Sequence, residues 1–146
     1  MNIPVNPQAP VYHHEEILIQ APLEEVWTIL THIDEWPEWQ AAVSEAHLVG
    51  KLGEGAEFRW KAGGLRFLSK IHTHSPYRSF GWTGKTLGAS AIHNWRFSEQ
   101  DNQTRVQVEE SLDGFFPRLF KKSFQKSLEK GMRTQLRELK QDAENK

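Results

Sequence analysis

The stretch HNWRFSEQDNQTRVQVEES, residues 93–111, consists of two alternating runs that are separated by a polar loop. Successive side chains of a β-strand point to opposite sides, so every second residue shares a face. One face of the first run carries an imidazole and two aromatic rings, from His93, Trp95 and Phe97. One face of the second run carries Val106, Val108 and Glu110. Both rows are typical of the inside of a sheet, and each contains one ionisable side chain.

These two ionisable residues are expected to meet across neighbouring strands. The loop is centred near residues 100–101, so residues whose numbers sum to about 201–203 pair, which places His93 opposite or diagonal to Glu110. A carboxylate is costly to bury unless it is paired or protonated. The pair is a general acid and base, an anchor for the polar group of an apolar ligand, or a structural contact, and all three roles stay open.

Alternating runs and turn signals predict seven strands along the chain. The runs cover residues 11–19, 42–50, 56–62, 65–75, 78–85, 87–98 and 104–111. The inward row of the first strand is either Val11, His13, Glu15, Ile17 and Ile19 or the opposite set. Apolar spacing predicts a helix over residues 21–33, a corner or short helix over 34–40, and one long amphipathic helix over 115–141.

This order of elements predicts an α+β fold. Consecutive hairpins produce an antiparallel sheet, and a long amphipathic helix needs an apolar surface that buries its stripe. A curved antiparallel sheet of about seven strands that wraps around the C-terminal helix, with two short helices after strand 1, satisfies both requirements. We expect a flexible N-terminal arm over residues 1–10, which hold three Pro residues, and a single domain over residues 11–142.

Composition excludes several classes of function. The 146 residues include no Cys, which excludes disulfides, thiolate metal sites and a cysteine nucleophile. The net charge of −1 provides no overall field that favours nucleic acid. The first residues lack the features of a signal peptide, and no apolar run reaches the roughly 18–20 residues of a membrane span. We expect a cytoplasmic monomer or homodimer with no transmembrane segment and no cofactor.

Several local patterns resemble those of the START-like superfamily, also called SRPBCC or Bet v 1-like. The first is I-x-A-P-x-x-x-V-W-x-x-L at residues 19–30, followed by W-P-x-W at residues 36–39. Later patterns are G-x-G-x-x-F at 53–58, H-x-W-x-F at 93–97, T-R-V at 104–106, the acidic pair Glu109–Glu110, and Gly114. The likeness is greatest to the polyketide cyclase/dehydrase-type branch. It implies a helix-grip fold but no catalytic set, because the superfamily includes binders, transfer proteins and enzymes.

The resemblance also implies a ligand cavity between the sheet and the C-terminal helix. Its expected lining is Trp60, Phe67, Phe80, Trp82, Trp95, Phe97, Val108, Phe124, Leu128 and Met132. The same side chains would alternatively fill the space as a packed core. Ser123, Ser127 and Gly131 form a row of small residues on the helix, which either leaves room above the sheet or turns to solvent.

Two further groups of ionisable residues stand outside this interior. Inward apolar residues of the 65–75 strand direct His72 and His74 outward. In HHEE (13–16) only two residues share a face of the strand. Neither group is therefore predicted to bind a metal ion. The C-terminal helix has a basic face, which is either solvated or meets an anionic membrane surface or acidic partner. Its residues are Lys122, Lys126, Lys130, Arg133, Arg137 and Lys140.

The sequence therefore predicts a protein that binds or carries a small hydrophobic or aromatic ligand. The alternative is a polyketide cyclase/dehydratase-like enzyme in which His93 and Glu110 act as acid and base. A third hypothesis is a regulatory protein that interacts through its surface, which requires an exposed apolar patch of several hundred Å².

Overall fold

Consecutive hairpins build one antiparallel sheet from the alternating runs of the chain. The computed structural model describes residues 2–146. Its strands are β1 (Val11–Ile19), β2 (Val43–Val49), β3 (Glu57–Ala62), β4 (Leu65–Ser75), β5 (Ser79–Thr86), β6 (Ala89–Gln100) and β7 (Gln103–Asp113). Their order across the sheet is β1-β7-β6-β5-β4-β3-β2, so β1 and β2 form the two edges.

Residues 2–146 also form four α-helices. They are α1 (Leu23–Thr31), α2 (Trp36–Trp39), α3 (Phe115–Leu119) and α4 (Lys121–Glu144), with a 3₁₀ turn at Ile33–Glu35. The curved sheet wraps around α4, and the two short helices α1 and α2 follow β1. The predicted α+β helix-grip fold is therefore confirmed.

The predicted single helix over residues 115–141 is wrong at its start, because the chain breaks at Phe120. This residue has φ −119° and ψ 49°, outside the helical region, and it separates α3 from α4. The N–H of Phe116 donates to the carbonyl of Gly88 in the β5–β6 turn (3.1 Å), which holds α3 against the sheet. The helix α4 packs along β1 instead, so α3 and α4 cannot share one helix axis.

An aromatic cluster fills the end of the interior next to α1 and α2. Trp36 of α2 is fully buried, and its ring lies 5.4 Å from Phe58, 5.6 Å from Trp60 and 5.4 Å from Trp82 between centroids. Its indole N–H donates to the carbonyl of Leu30 (2.8 Å), so the polar atom of this large ring is satisfied. Trp36 thus closes this end of the fold.

The helix α4 packs most closely through its C-terminal half. Met132, Leu136, Leu139 and Ala143 are buried against the sheet. Towards its N-terminus the apolar stripe continues with Phe124 and Leu128, which are only half-buried. The interior is therefore tightly packed near α1 and α2 and less so near the β3–β4 and β5–β6 turns.

The N-terminal arm lies along the outer face of the sheet. Asn94 donates its side-chain N–H to the carbonyl of Ile3 (2.8 Å), and the N–H of Asn6 donates to Ser111 Oγ (3.1 Å). Val5, which belongs to this arm, is buried. Met1 lies outside the described residues, and the flexibility expected for residues 1–10 stays a prediction.

The expected outward direction is correct for His72 but wrong for His74, because a β-bulge interrupts β4. The register with β5 shifts between Ile71 and Thr73, so His74 lies on the inner face, 5.6 Å from the ring of Trp27. His72 remains on the outer face, where it contacts Asn94 through Nε2 (2.8 Å). An extra residue in one strand reverses the alternation beyond it.

We predict that Gly88→Ala destabilises the protein by about 3 kcal/mol. Gly88 has φ +69°, and an added Cβ would lie 2.3 Å from Cδ2 of Phe116, so the substitution strains the turn and displaces α3. Gly64→Ala is the matched control. Its φ is +80° with open space around the Cβ, so its cost should be only about 1 kcal/mol. Equal losses in urea unfolding would contradict the contact between Gly88 and α3.

Candidate functional site

A row of ionisable and aromatic side chains crosses the inner face of the sheet. His13 of β1 lies opposite Glu110 of β7, Glu110 lies opposite His93 of β6, and His93 lies opposite Trp82 of β5. The predicted register of His93 and Glu110 is thereby confirmed, with the two residues directly opposite each other. The inward row of β1 is the one that contains His13 and Glu15.

His93 and Glu110 form a largely buried contact between Nδ1 and Oε1. Their side chains are only 10% and 14% exposed. The imidazole also contacts two indole rings, with centroid distances of 4.5 Å to Trp82 on the neighbouring strand and 5.4 Å to Trp95 on its own strand. The carboxylate therefore fixes the orientation of the ring, and the indoles fix its plane.

Three nitrogen atoms on the inner face lack hydrogen-bond partners among residues 2–146. They are Nε2 of His93, Nε1 of Trp95 and Nε2 of His74, and each is buried. These residues are neighbours on the inner face of the sheet. Trp95 lies two residues after His93 in β6, and Phe80 of β5 lies opposite both Trp95 and His74. Buried polar atoms are almost always bonded, and an unpaired one costs about 1–3 kcal/mol. A cluster of them in an aromatic wall marks a place where polar ligand atoms would be stabilised.

A second charged group holds α4 against β1 beside this row. His13 Nε2 lies 2.6 Å from Glu15 Oε2, and Arg133 of α4 donates through Nε to the same oxygen (2.9 Å). The hydrogen bond from His13, and then that from Arg133, lowers the pKa of Glu15 despite some desolvation. Sequence reasoning did not identify this group, because the inward parity of β1 was open; the alternation of HHEE was the available signal.

The predicted cavity residues fall into two groups. Phe80, Trp82, Trp95, Phe97, Val108 and Met132 are buried in one continuous core, and Trp60, Phe67, Phe124 and Leu128 are partly exposed. The partly exposed group lies towards the turns, where α4 packs least closely. Ser123, Ser127 and Gly131 are exposed, so the row of small residues faces solvent. The role of these residues as a ligand lining stays a prediction.

Two of the grooves on the surface of residues 2–146 are lined by residues of the sheet. One, of about 470 Å³, lies mainly over the outer rows of β1, β6 and β7, and its lining includes Tyr12, His14, Glu16, Arg96 and Glu109. Burial, and then the charge of Glu109, raises the pKa of Tyr12 at its rim. The other, of about 340 Å³, is bordered by the stacked rings of Trp60 and Phe67 together with Arg59, Arg66 and Lys85. Two of the predicted lining residues thus border an open groove.

Neither a metal site nor a membrane span is found among residues 2–146. No three His, Asp or Glu side chains in this part of the chain are arranged to hold a metal ion. No helix within the same residues is long and apolar enough to cross a membrane.

Comparison with protein families gives a match over most of the chain. The model of the family described as "Polyketide cyclase / dehydrase and lipid transport" matches residues 13–144. Comparison of the sequence with curated proteins finds no match.

Solved structures of similar fold come from several bacteria. A hypothetical protein from Helicobacter pylori has a TM-score of 0.84 with 15% identity, and 98% of each chain is covered. The aromatase/cyclase ZhuI from Streptomyces sp. R1128 has a TM-score of 0.81 with 14% identity, covering 91% of this chain and 93% of that one. A START superfamily protein from Mycobacterium smegmatis has a TM-score of 0.80 with 11% identity, covering 92% and 97%. At such low identity these likenesses establish the fold.

We predict that Glu15→Gln lowers the free energy of unfolding at pH 7 by about 1–2 kcal/mol, because Glu15 bonds both His13 and Arg133 in a half-exposed setting. The lowered pKa of Glu15 means that its ionised form stabilises the folded state above the ordinary pKa of 4.5. This contribution is lost as the pH falls through the pKa of the folded state.

Urea unfolding of both proteins between pH 7 and pH 3 tests this expectation, and the difference between them should shrink below about pH 4.5. Glu16→Gln is the control, because Glu16 pairs with Arg105 on the exposed outer face (2.6 Å) and should contribute less than about 1 kcal/mol. A difference between Glu15→Gln and the natural protein that is constant with pH would refute the charged contact.

Proposed function

The chain belongs to the polyketide cyclase/dehydrase and lipid transport family, and from this premise we propose that it binds or carries a small hydrophobic ligand between its sheet and α4. One observation carries the proposal. His93 Nε2 is buried among aromatic rings on the inner face, and no group among residues 2–146 hydrogen-bonds to it. An atom held in this way is a suitable partner for a single polar group on an otherwise apolar ligand.

The bonding of His93 indicates which polar group the ligand carries. An ionised carboxylate only accepts hydrogen bonds, so His93 Nδ1 carries the proton of the bond to Glu110, and Nε2 of the neutral ring is an acceptor. The indole N–H of Trp95 is only a donor. One hydroxyl group satisfies both atoms, because it donates to His93 and accepts from Trp95. The ligand class that we propose is therefore a hydroxylated aromatic molecule.

The rest of the interior suits the apolar body of such a ligand. Trp82 and Trp95 lie beside His93, with their ring centroids 6.5 Å apart, and such an aromatic wall favours a flat aromatic partner. Entry lies between the sheet and the first half of α4, where Phe124 and Leu128 are only half-buried. Small movements of these two side chains widen the passage without disturbing the packed core around Trp36.

A second candidate function is acid–base catalysis on a polyketide-like substrate. The observation that favours it is the fixed orientation of His93, whose free Nε2 faces the interior while Glu110 holds Nδ1. In a dehydration, Nε2 would take a proton from the carbon beside a carbonyl. The imidazolium would then return this proton to the departing β-hydroxyl, which gives an enone and water. Glu110 would stabilise the imidazolium between the two transfers.

Binding of 2-naphthol and naphthalene, which differ only in the hydroxyl group, tests the first proposal. We expect 2-naphthol to bind at least about tenfold more tightly, because naphthalene leaves His93 and Trp95 unpaired. His93→Phe should abolish most of this preference and Trp95→Phe part of it. The measurement is quenching of tryptophan fluorescence, supported by native mass spectrometry of the complex.

His14→Phe is the control for this experiment, because His14 lies on the exposed outer face of the same sheet. It should leave the preference for 2-naphthol unchanged. Equal affinity of the natural protein for the two compounds, or no binding of either, would overturn the proposal and favour an interior that is filled by its own side chains.

Dehydration of 4-hydroxy-4-phenylbutan-2-one, followed by the absorbance of the conjugated product, tests the catalytic candidate. The natural protein should exceed the rate in buffer, and His93→Gln should lower the added rate by about 10²-fold or more, because it removes the base. Glu110→Gln should also lower it, while His14→Gln should not. A rate equal to that in buffer, or an unaffected His93→Gln variant, would exclude this candidate.

A further inference from the structure

Three short segments come together at one end of the sheet. The β3–β4 turn is joined to the β5–β6 turn by the hydroxyl of Thr86, which donates to the carbonyl of Arg66 (2.7 Å). The β5–β6 turn is joined to α3 by the bond from the N–H of Phe116 to the carbonyl of Gly88 (3.1 Å). Two turns and a short helix therefore project from the same end.

Large apolar side chains are exposed on each of these segments. We name them the tip surface, which comprises Leu65, Leu87, Phe115, Leu119 and Phe120. Leu87 is 84% exposed, Phe115 66% and Leu119 60%, and these are the highest values among the large apolar residues from 2 to 146. Single exposed apolar residues are ordinary, but several at one end of a molecule mark an interaction site.

Every charged side chain in the segments around the tip surface is basic. Residues 60–69, 82–92 and 114–128 contain no Asp or Glu, although the whole chain has a net charge of −1. Their basic residues are Lys61, Arg66, Lys85, Arg118, Lys121, Lys122 and Lys126. Arg118 pairs with Asp113 (2.8 Å), and Arg66 lies 3.8 Å from Glu45. Lys121, Lys122 and Lys126 have no carboxylate partner among residues 2–146, so their charge is free to act outside the molecule.

We propose that the tip surface docks on an anionic lipid membrane. Exposed Leu and Phe side chains insert into the boundary between headgroups and acyl chains, which reaches about 5–10 Å into the bilayer. Unpaired lysines beside them are attracted by the negative potential of anionic lipids. The free lysines at the start of α4 directly follow Phe120, so both contributions act in the same place.

The shape of the tip surface favours a membrane over a protein partner. A protein interface has a contiguous apolar core that is surrounded by a polar rim. Here the apolar side chains stand on three separate projections. Lys121 and Lys122 lie between Phe120 and Phe124 in the sequence, so charged and apolar side chains are interspersed. A fluid lipid boundary accommodates separate projections because it adapts to each of them.

The contacts of α4 also distinguish the tip surface from the basic helix face predicted from the sequence. Arg133 of that face bonds to Glu15, and Lys140 donates to the carbonyl of Leu18 (3.1 Å) and to Glu144 (2.5 Å). The bonds to Glu15 and Leu18 hold this part of α4 on β1. The first part of the helix, with Lys122 and Lys126, lies beside the exposed apolar residues instead.

Vesicle sedimentation with the full chain tests the proposal. We expect the protein to bind phosphatidylcholine vesicles that contain about 30% phosphatidylglycerol and to bind pure phosphatidylcholine at least about tenfold more weakly. The variant Leu87→Ser/Phe115→Ser should bind the anionic vesicles at least about tenfold more weakly, because it removes two inserted side chains. Lys121→Gln/Lys122→Gln should have an effect of similar size, and about 0.5 M salt should weaken binding of the natural protein.

Matched controls lie at the opposite end of the sheet. Val49→Ser removes an exposed apolar side chain there, and Lys51→Gln/Arg78→Gln removes two exposed charges, so both variants should bind as the natural protein does. His93→Phe should also bind vesicles normally, because the proposal does not depend on the internal pocket. Circular dichroism melting of each variant establishes that it is folded.

Three outcomes would overturn the proposal. The first is the absence of binding to anionic vesicles. The second is equal loss of binding in the control variants. The third is dependence on Lys121 and Lys122 without dependence on Leu87 and Phe115, which would indicate attraction by charge alone without insertion of the apolar side chains.

Discussion

The turn between β6 and β7 determines which side chains share the interior of this protein. Asp101 and Asn102 have φ angles of 52° and 65°, and the residues on either side of them pair, so the hairpin has a two-residue turn of the type that matches the twist of its strands. With this turn, His93 must lie opposite Glu110 and Trp95 opposite Val108. A slip by one residue would move the whole row to the outer face.

The same register produces both the stability of the interior and its unsatisfied polar atoms. At one end Trp36 closes the core and bonds its indole N–H to the backbone, so this large ring is buried without leaving its own nitrogen unpaired. In the middle of the sheet, Glu110 satisfies one nitrogen of His93 and leaves the other buried without a partner among residues 2–146. Such an atom lowers the free energy of unfolding by about 1–3 kcal/mol. A ligand that hydrogen-bonds to the atom would restore this stability, which matters in a marginally stable domain.

Local alternation explains why much of this arrangement follows from the sequence. The period of two and the position of the polar loop predict the pairing of His93 with Glu110, and the element order predicts the sheet and its helix. The direction of the His74 side chain cannot be predicted from the sequence. One additional residue at His72 reverses the alternation of β4, and the residue types around it do not indicate a bulge. The break at Phe120 does not follow either, since it depends on a contact with a turn about 30 residues earlier in the chain.

The packing of α4 connects the interior with the exposed end of the molecule. Both halves of α4 are bonded to β1, the first through Gln125 and Tyr12 and the second through Lys140 and Leu18. They differ in burial, because the C-terminal half is buried whereas Phe124 and Leu128 in the first half are only half-buried. The stability of a segment depends on its buried apolar contacts, so the first turns of α4, which bury fewer of them, open more easily than its C-terminal half. An apolar molecule that leaves a membrane at the tip surface would thus meet the least tightly closed part of the interior first. The distribution of burial along one helix therefore places the less buried end of the interior beside the surface that carries Leu87 and Phe115.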